Sequence, residues 1–150
     1  MHYKLYRIYI GISFLLFTIA NTSAQTDGDH AADTVKYTID NCVNTFSMDK
    51  RIKTDAGYQY WFVDKSFLDG RTIKLSAVKP HEATHAPHSH PEDEFFFILE
   101  GKAEFYLNGH TRVVGPMTSL YCPSNIEHGI RNAGDSELKY LVIKKYIVNK

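Results

Sequence analysis

The chain has 150 residues, of which 17 are basic, 17 acidic, 43% hydrophobic and 13% aromatic. That length suits one domain and leaves no room for two ordinary ones. No basic stripe or tail stands out, so nucleic acid is not an expected partner.

The first 24 residues differ from the rest. Lys4 and Arg7 give a positive start, Ile8 through Ala20 is mostly apolar, and Thr22-Ser23-Ala24 supplies small residues before a polar stretch. This three-part pattern predicts a signal peptide over 1–24, cleaved after Ala24; its apolar run is short for a membrane span. The expected mature chain is exported, periplasmic or secreted, and free of the membrane after cleavage. It keeps 15 basic and 17 acidic residues, a net charge of about −2. Residues 25–34 read as a flexible tail, and a single folded domain is expected over 35–150.

Two cysteines follow, Cys42 and Cys122. An oxidising compartment would allow one disulfide between them. The alternative is one buried thiol and one near the start of the domain. With no CxxC motif, a redox role or a thiolate zinc site has no support.

A short helix fits within 39–53. Beyond residue 50 the body reads as strands. Tyr58–Val63 is aromatic and β-branched, and Thr72–Val78 alternates and stops at Pro80. Glu94–Leu99 is followed by Glu100-Gly101, and Ala103–Leu107 by Asn108-Gly109, the strongest short hairpin signal. Thr111–Val114 meets Gly115-Pro116, Ser119–Cys122 meets Pro123, Ile130–Asn132 meets Gly134-Asp135, and Leu138–Ile143 is a late apolar strand. Short strands about ten residues apart, with turn signals between them, predict an all-β sandwich or barrel.

Histidine carries the chemistry. Four of the seven histidines of the mature chain lie within His81–His90. His88, His90 and Glu94 share parity, so on extended backbone they face one side, although Pro91 interrupts the ladder. His128 begins a new strand after Pro123, and two hairpins can fold it back beside the first cluster. Imidazole and carboxylate donors together suit Zn, Mn, Ni, Fe or Cu. Parity also turns Phe96 inward with Glu94 and turns Phe95 and Phe97 outward. Tyr58, Tyr60, Trp61 and Phe62 either line the pocket or pack the barrel.

At these residues the sequence resembles the cupin superfamily. Its first motif runs H-x-H, three or four residues, Glu, six residues, Gly. Here it is matched by His88, His90, Glu94 and Gly101. The second motif places a proline five residues before a histidine and an asparagine four after it, matched by Pro123, His128 and Asn132. Two departures stand out. Glu82 and Met117 occupy the places where the two motifs often open with a glycine that shapes a turn.

The resemblance implies a double-stranded β-helix, that is a jelly-roll barrel, over roughly 55–146. It implies one divalent metal ion on His88, His90, Glu94 and His128, with Gly101 as a turn glycine and Asn132 as structural support. A homodimer is a fair expectation. One barrel hosts many chemistries, so the site decides. A three-histidine, one-carboxylate ion leaves open positions and acts as a Lewis acid on a small sugar acid, unsaturated uronate or hydroxy-carbonyl substrate. Isomerisation, tautomerisation or ring opening would follow, with His81, His85 and Tyr121 as candidate proton-transfer groups. An oxygenase using Fe(II), Ni or Cu and a non-catalytic binder of small ligands are the alternatives.

Overall fold

Among the described residues, alternating side chains and frequent turn residues build nine strands, all paired antiparallel. The computed structural model describes residues 37–147, and every element lies in the unit that begins at Thr38. The expected signal peptide (1–24) and tail (25–34) lie outside the described residues.

The strands are β1 (Ile52–Thr54), β2 (Gly57–Leu68), β3 (Arg71–Val78), β4 (Glu94–Glu100), β5 (Ala103–Leu107), β6 (His110–Val114), β7 (Ser119–Cys122), β8 (His128–Asn132) and β9 (Leu138–Lys145). They form a six-stranded sheet in the order β1-β2-β3-β9-β4-β7 and a three-stranded sheet in the order β6-β5-β8. Strand β4 pairs with β9, and β5 with β8, so the chain winds on itself as a jelly roll. The all-β double-stranded β-helix expected from the sequence is the observed fold.

The expected helix near residue 40 is a single turn, α1 (Ile39–Cys42), followed by a 3₁₀ turn at Met48–Lys50. Both are exposed and too short to hold alone. The Thr38 and Asn41 side chains cap α1 reciprocally. Nearby, Phe46 packs against Tyr60 with ring centroids 5.0 Å apart, and the Tyr60 hydroxyl donates to Thr45 O at 2.9 Å. The segment before β1 therefore covers part of the outer face of β2.

The core lies between the inner faces of the two sheets. Phe96, Ile98, Leu120, Leu138, Tyr140 and Val142 come from the large sheet, and Ala103 and Ile130 from the small one. Burying side chains of this size contributes about 1.5–3 kcal/mol each. Buried polar groups on the same faces must therefore be satisfied or functional. On the outer face, register sets Ile73, Ile143, Phe95 and Tyr121 side by side across four strands, all partly exposed.

Turn chemistry sets the register. Asn108 and Gly109 both take positive φ (46° and 83°) between paired Leu107 and His110, as a tight hairpin needs. Gly101 has φ +86°, and a Cβ there would meet Glu137 O at 2.8 Å and the Leu138 Cα at 2.9 Å. Met117 takes φ +61° in the place of a turn glycine, and its N–H donates to Ile98 O at 2.9 Å. The turn keeps its shape, and the methionine carries the strain. At the first motif the positive φ falls on His81 (64°), beside Glu82.

Asn132 ties three chain segments together. Its Nδ2 donates to Val78 O at 2.9 Å and to Ser136 O at 2.7 Å, and its Oδ1 accepts from the Gly134 N–H at 2.8 Å. It is fully buried, which fits the structural role implied for it.

Candidate metal centre

The segment between β3 and β4 has no strand of its own, yet its backbone is pinned to the β7–β8 region. His88 and His128 exchange both backbone hydrogen bonds at 2.9 Å. The Asn125 N–H donates to His90 O, and the Asn132 N–H to Glu82 O, each at 2.8 Å. These bonds bring His88 and His90 beside His128, while strand β4 points Glu94 inward.

The ligating nitrogens of His88, His90 and His128 all lie within 4.8 Å of one another. Glu94 Oε1 stands 3.1 Å from His128 Nε2 and 3.6 Å from His90 Nε2. Donors on one ion at about 2.1 Å sit about 3–4 Å apart, so these spacings fit. Glu94 and His128 are buried, His90 half-buried and His88 exposed at the cavity wall.

Backbone carbonyls fix the ring orientations. His88 Nδ1 faces Ala86 O at 3.1 Å, His90 Nδ1 faces Glu92 O at 2.8 Å, and His128 Nδ1 faces Ile126 O at 2.7 Å. A carbonyl only accepts, so each Nδ1 carries a hydrogen, and in the neutral ring each Nε2 presents a lone pair. His128 Nε2 then points that lone pair at the Glu94 carboxylate from 3.1 Å. A proton or a metal ion shared between the two atoms satisfies both. Three imidazole nitrogens and a carboxylate at these spacings are a donor set that fits a divalent ion.

Cys122 adds a donor. It pairs with Glu94 across β4–β7, is buried, and groups with Glu94 and His128 within 4.8 Å. Burial and the neighbouring Glu94 push its thiol up to about 12. Cys42 is exposed, and both cysteines are free, so the disulfide weighed from sequence is not formed. The other arrangement, one buried thiol and one near the domain start, is the one seen.

A cavity of about 780 Å³ opens in front of the cluster. His85 lines it, with its ring edge-on to His88 at 5.8 Å. Burial, with His88 beside it, holds the His85 pKa below the usual histidine value. The other two candidate proton-transfer groups are placed elsewhere. His81 is exposed and pairs with Asp135 at 3.0 Å. Tyr121 stacks on Phe95 and reaches toward Asp93 on the outer face, because its parity opposes that of Cys122. Neither lines the cavity.

Three cavity residues lay outside the sequence reasoning. Lys144 Nζ donates to His90 Nε2 at 3.0 Å and lies 3.7 Å from Glu92 and 3.9 Å from Glu94. Lys74 faces the cavity from β3. Tyr140 is buried on β9, 3.5 Å from the Thr84 hydroxyl, and burial raises its pKa. Parity within β3 and β9 carries the signal for all three, but only once register has aligned those strands with β4. Phe96 faces inward as expected, and Phe95 outward at 42% exposed.

The Cupin domain family model matches residues 74–144, which run from within β3 through most of β9 and hold all four candidate ligands. The chain belongs to the cupin superfamily. It is similar to "H2HPP isomerase" of Bacillus subtilis, 31% identical over 102 residues, or 67% of this chain and 41% of that one. It is also similar to "Dimethylsulfoniopropionate lyase DddQ" of Ruegeria pomeroyi, 44% identical over 45 residues, or 29% of this chain and 22% of that one. The chain thus spans less than half the length of either relative. The crystal structure of a "predicted oxalate decarboxylase" from Thermotoga maritima superimposes with a TM-score of 0.57 at 21% identity. That match covers 65% of this chain and 90% of the other and shows a shared cupin barrel.

Proposed function

We propose that this cupin is an exported, metal-dependent enzyme that isomerises, tautomerises or opens a small sugar acid, unsaturated uronate or related hydroxy-carbonyl compound. The observation that carries the reading is the gathering of the His88, His90 and His128 ring nitrogens within 4.8 Å of one another, with the Glu94 carboxylate 3.1 Å from His128 and 3.6 Å from His90, beside one cavity. His88, His90, Glu94 and His128 would hold the ion. When bound, it supplies Lewis-acid stabilisation of negative charge developing on a substrate oxygen.

The chain's own groups supply the rest. His85, which lines the cavity beside His88, would take or return the proton. Tyr140 and Thr84 offer hydroxyls to a substrate oxygen. Phe96, Ile130 and Val142 present apolar surface that limits water around the reacting atoms. The relatives named as an isomerase and a lyase support chemistry without dioxygen. The leader-like segment 1–24 supports export, and polysaccharide breakdown outside the cytoplasm would supply such acids.

The test uses the purified chain loaded in turn with Zn, Mn, Ni, Fe and Cu. It should bind one ion per chain and bleach the conjugated-alkene absorbance of an unsaturated uronate without oxygen uptake. His128→Ala should abolish both the ion and the bleaching. Oxygen consumption with the substrate would replace this reading with an oxygenase. Ligand-induced thermal stabilisation with no turnover would replace it with a binding protein.

A further inference from the structure

Lysines at a cavity wall are ordinary when a carboxylate accompanies them. Lys144 is such a case, placed among His90, Glu92 and Glu94. Lys74 is not. Among the described residues its ammonium has no hydrogen-bond acceptor and no carboxylate within ion-pair distance. Its one close partner is the Trp61 ring, 5.2 Å away at the centroid. An ammonium carries three donors, and an aromatic face satisfies them only in part.

Register shows why the group is held there. Lys74 alternates with Thr72 and Ser76 on the inner face of β3, and both neighbours are only 3% exposed. It pairs with Trp61 on one side and Val142 on the other, so its stem lies on apolar surface and its head reaches the cavity. Gln59 and Ser76, paired in the next row, line the same cavity and offer further hydrogen bonds. Burial lowers the Lys74 pKa, the cost that a bound anion would offset.

We propose that Lys74 is an anion subsite that binds a carboxylate of the substrate remote from the end held at the histidine–glutamate cluster. The assignment rests on the metal-site reading for the other end of the substrate. From Lys74, Val142 and then Phe96 lie across the sheet, and Glu94 is two residues before Phe96. Strand spacing puts the Lys74 and Glu94 Cα atoms about 12 Å apart. Two long side chains pointing into the gap leave room for a short diacid. The ligand class is therefore a hydroxy or oxo acid with a second carboxylate, in preference to a neutral sugar or a diol.

The experiment uses cobalt(II)-loaded protein and two readouts. The visible spectrum of the ion reports chelation, and calorimetry reports binding wherever it occurs. The probes are lactate and the 2-hydroxy dicarboxylates of four, five and six carbons. At least one dicarboxylate should bind about tenfold more tightly than lactate. Lys74→Met should erase that gain while leaving lactate affinity and cobalt content unchanged. Lys74→Arg should keep most of it, which also covers a folding failure of the methionine variant. Equal dicarboxylate affinities in wild type and Lys74→Met, or no gain over lactate for any length, would overturn the subsite. A cobalt spectrum indifferent to lactate, alongside a dicarboxylate heat that depends on Lys74, would sink the chelating-site reading and leave the subsite standing.

Discussion

Replacing Glu94 with glutamine should weaken ion binding while leaving the ion-free barrel at least as stable as the wild type. The His128 Nδ1 hydrogen is committed to Ile126 O, so the Nε2 lone pair faces the Glu94 carboxylate at 3.1 Å in a site closed to solvent. A glutamine amide donates where the carboxylate can only accept. That adds one hydrogen bond, worth about 1 kcal/mol, which offsets the loss of the 3.9 Å charge pairing with Lys144. The ion-bound protein responds in the opposite direction. An ion at about 100 times its dissociation constant stabilises the fold by about 2.7 kcal/mol. Losing only the groups that hydrogen-bond to the ligands costs metal sites about 10–100-fold in affinity, so the loss of a charged ligand is set at about 100-fold. The ion then contributes only about 0.4 kcal/mol. At about 4 °C per kcal/mol for a domain of this size, the ion-dependent rise in Tm should shrink from about 10 °C to about 2 °C. Paired thermal melts after chelation and after reconstitution, with metal analysis of each sample, measure both numbers. A glutamine variant that keeps the full ion-dependent rise would remove Glu94 from the ligand set. One that melts far below wild type after chelation would show that the two acceptors do not oppose each other.

Three further outcomes rest on single residues. Asn132→Ala strands the Val78 and Ser136 carbonyls and the Gly134 N–H, so urea titration should show a loss of about 3 kcal/mol, and a loss under 1 kcal/mol would contradict the role given to it. Met117→Gly relieves a left-handed residue that is 79% exposed; a gain of about 0.5–1 kcal/mol is expected after the extra chain entropy of glycine is subtracted, read from the same titration. Cys42 should alkylate with iodoacetamide within minutes at pH 8 while Cys122, fully buried and with its thiol pushed up to about 12, stays unmodified until the fold is opened. Peptide mapping by mass spectrometry separates the two, and equal labelling in the native protein would contradict the burial of Cys122.

Strand positions were legible because period-2 alternation and turn residues act locally. Asn108-Gly109 demands its hairpin whatever surrounds it, and Pro80 and Pro123 stop their strands without help from tertiary structure. The candidate ligands stood out for a different reason: His88, His90 and Glu94 are close in the chain, and His128 carries its own framing by Pro123 and Asn132. What stayed out of reach depends on register between distant strands. Lys144 meets His90 only because β9 pairs with β4. Tyr121 is a candidate proton-transfer group from sequence, yet the pairing of Cys122 with Glu94 turns the tyrosine out. His81 and His85 read alike in sequence, and the left-handed turn at His81 sends one toward Asp135 while the other reaches the cavity.

The hydrogen bond from Lys144 to His90 has a consequence for how an ion enters. The lone pair on His90 Nε2 serves either the ammonium or a metal, never both. Uptake is therefore an exchange reaction in which a tethered monovalent cation gives way to a divalent one. The positive charge gained at the ligands would be smaller than the ion's own to the extent that the Lys144 ammonium withdraws. Such a tethered competitor lowers the apparent affinity for every ion by the same factor, so it sets the threshold of loading and leaves the ranking among metals to the ligands.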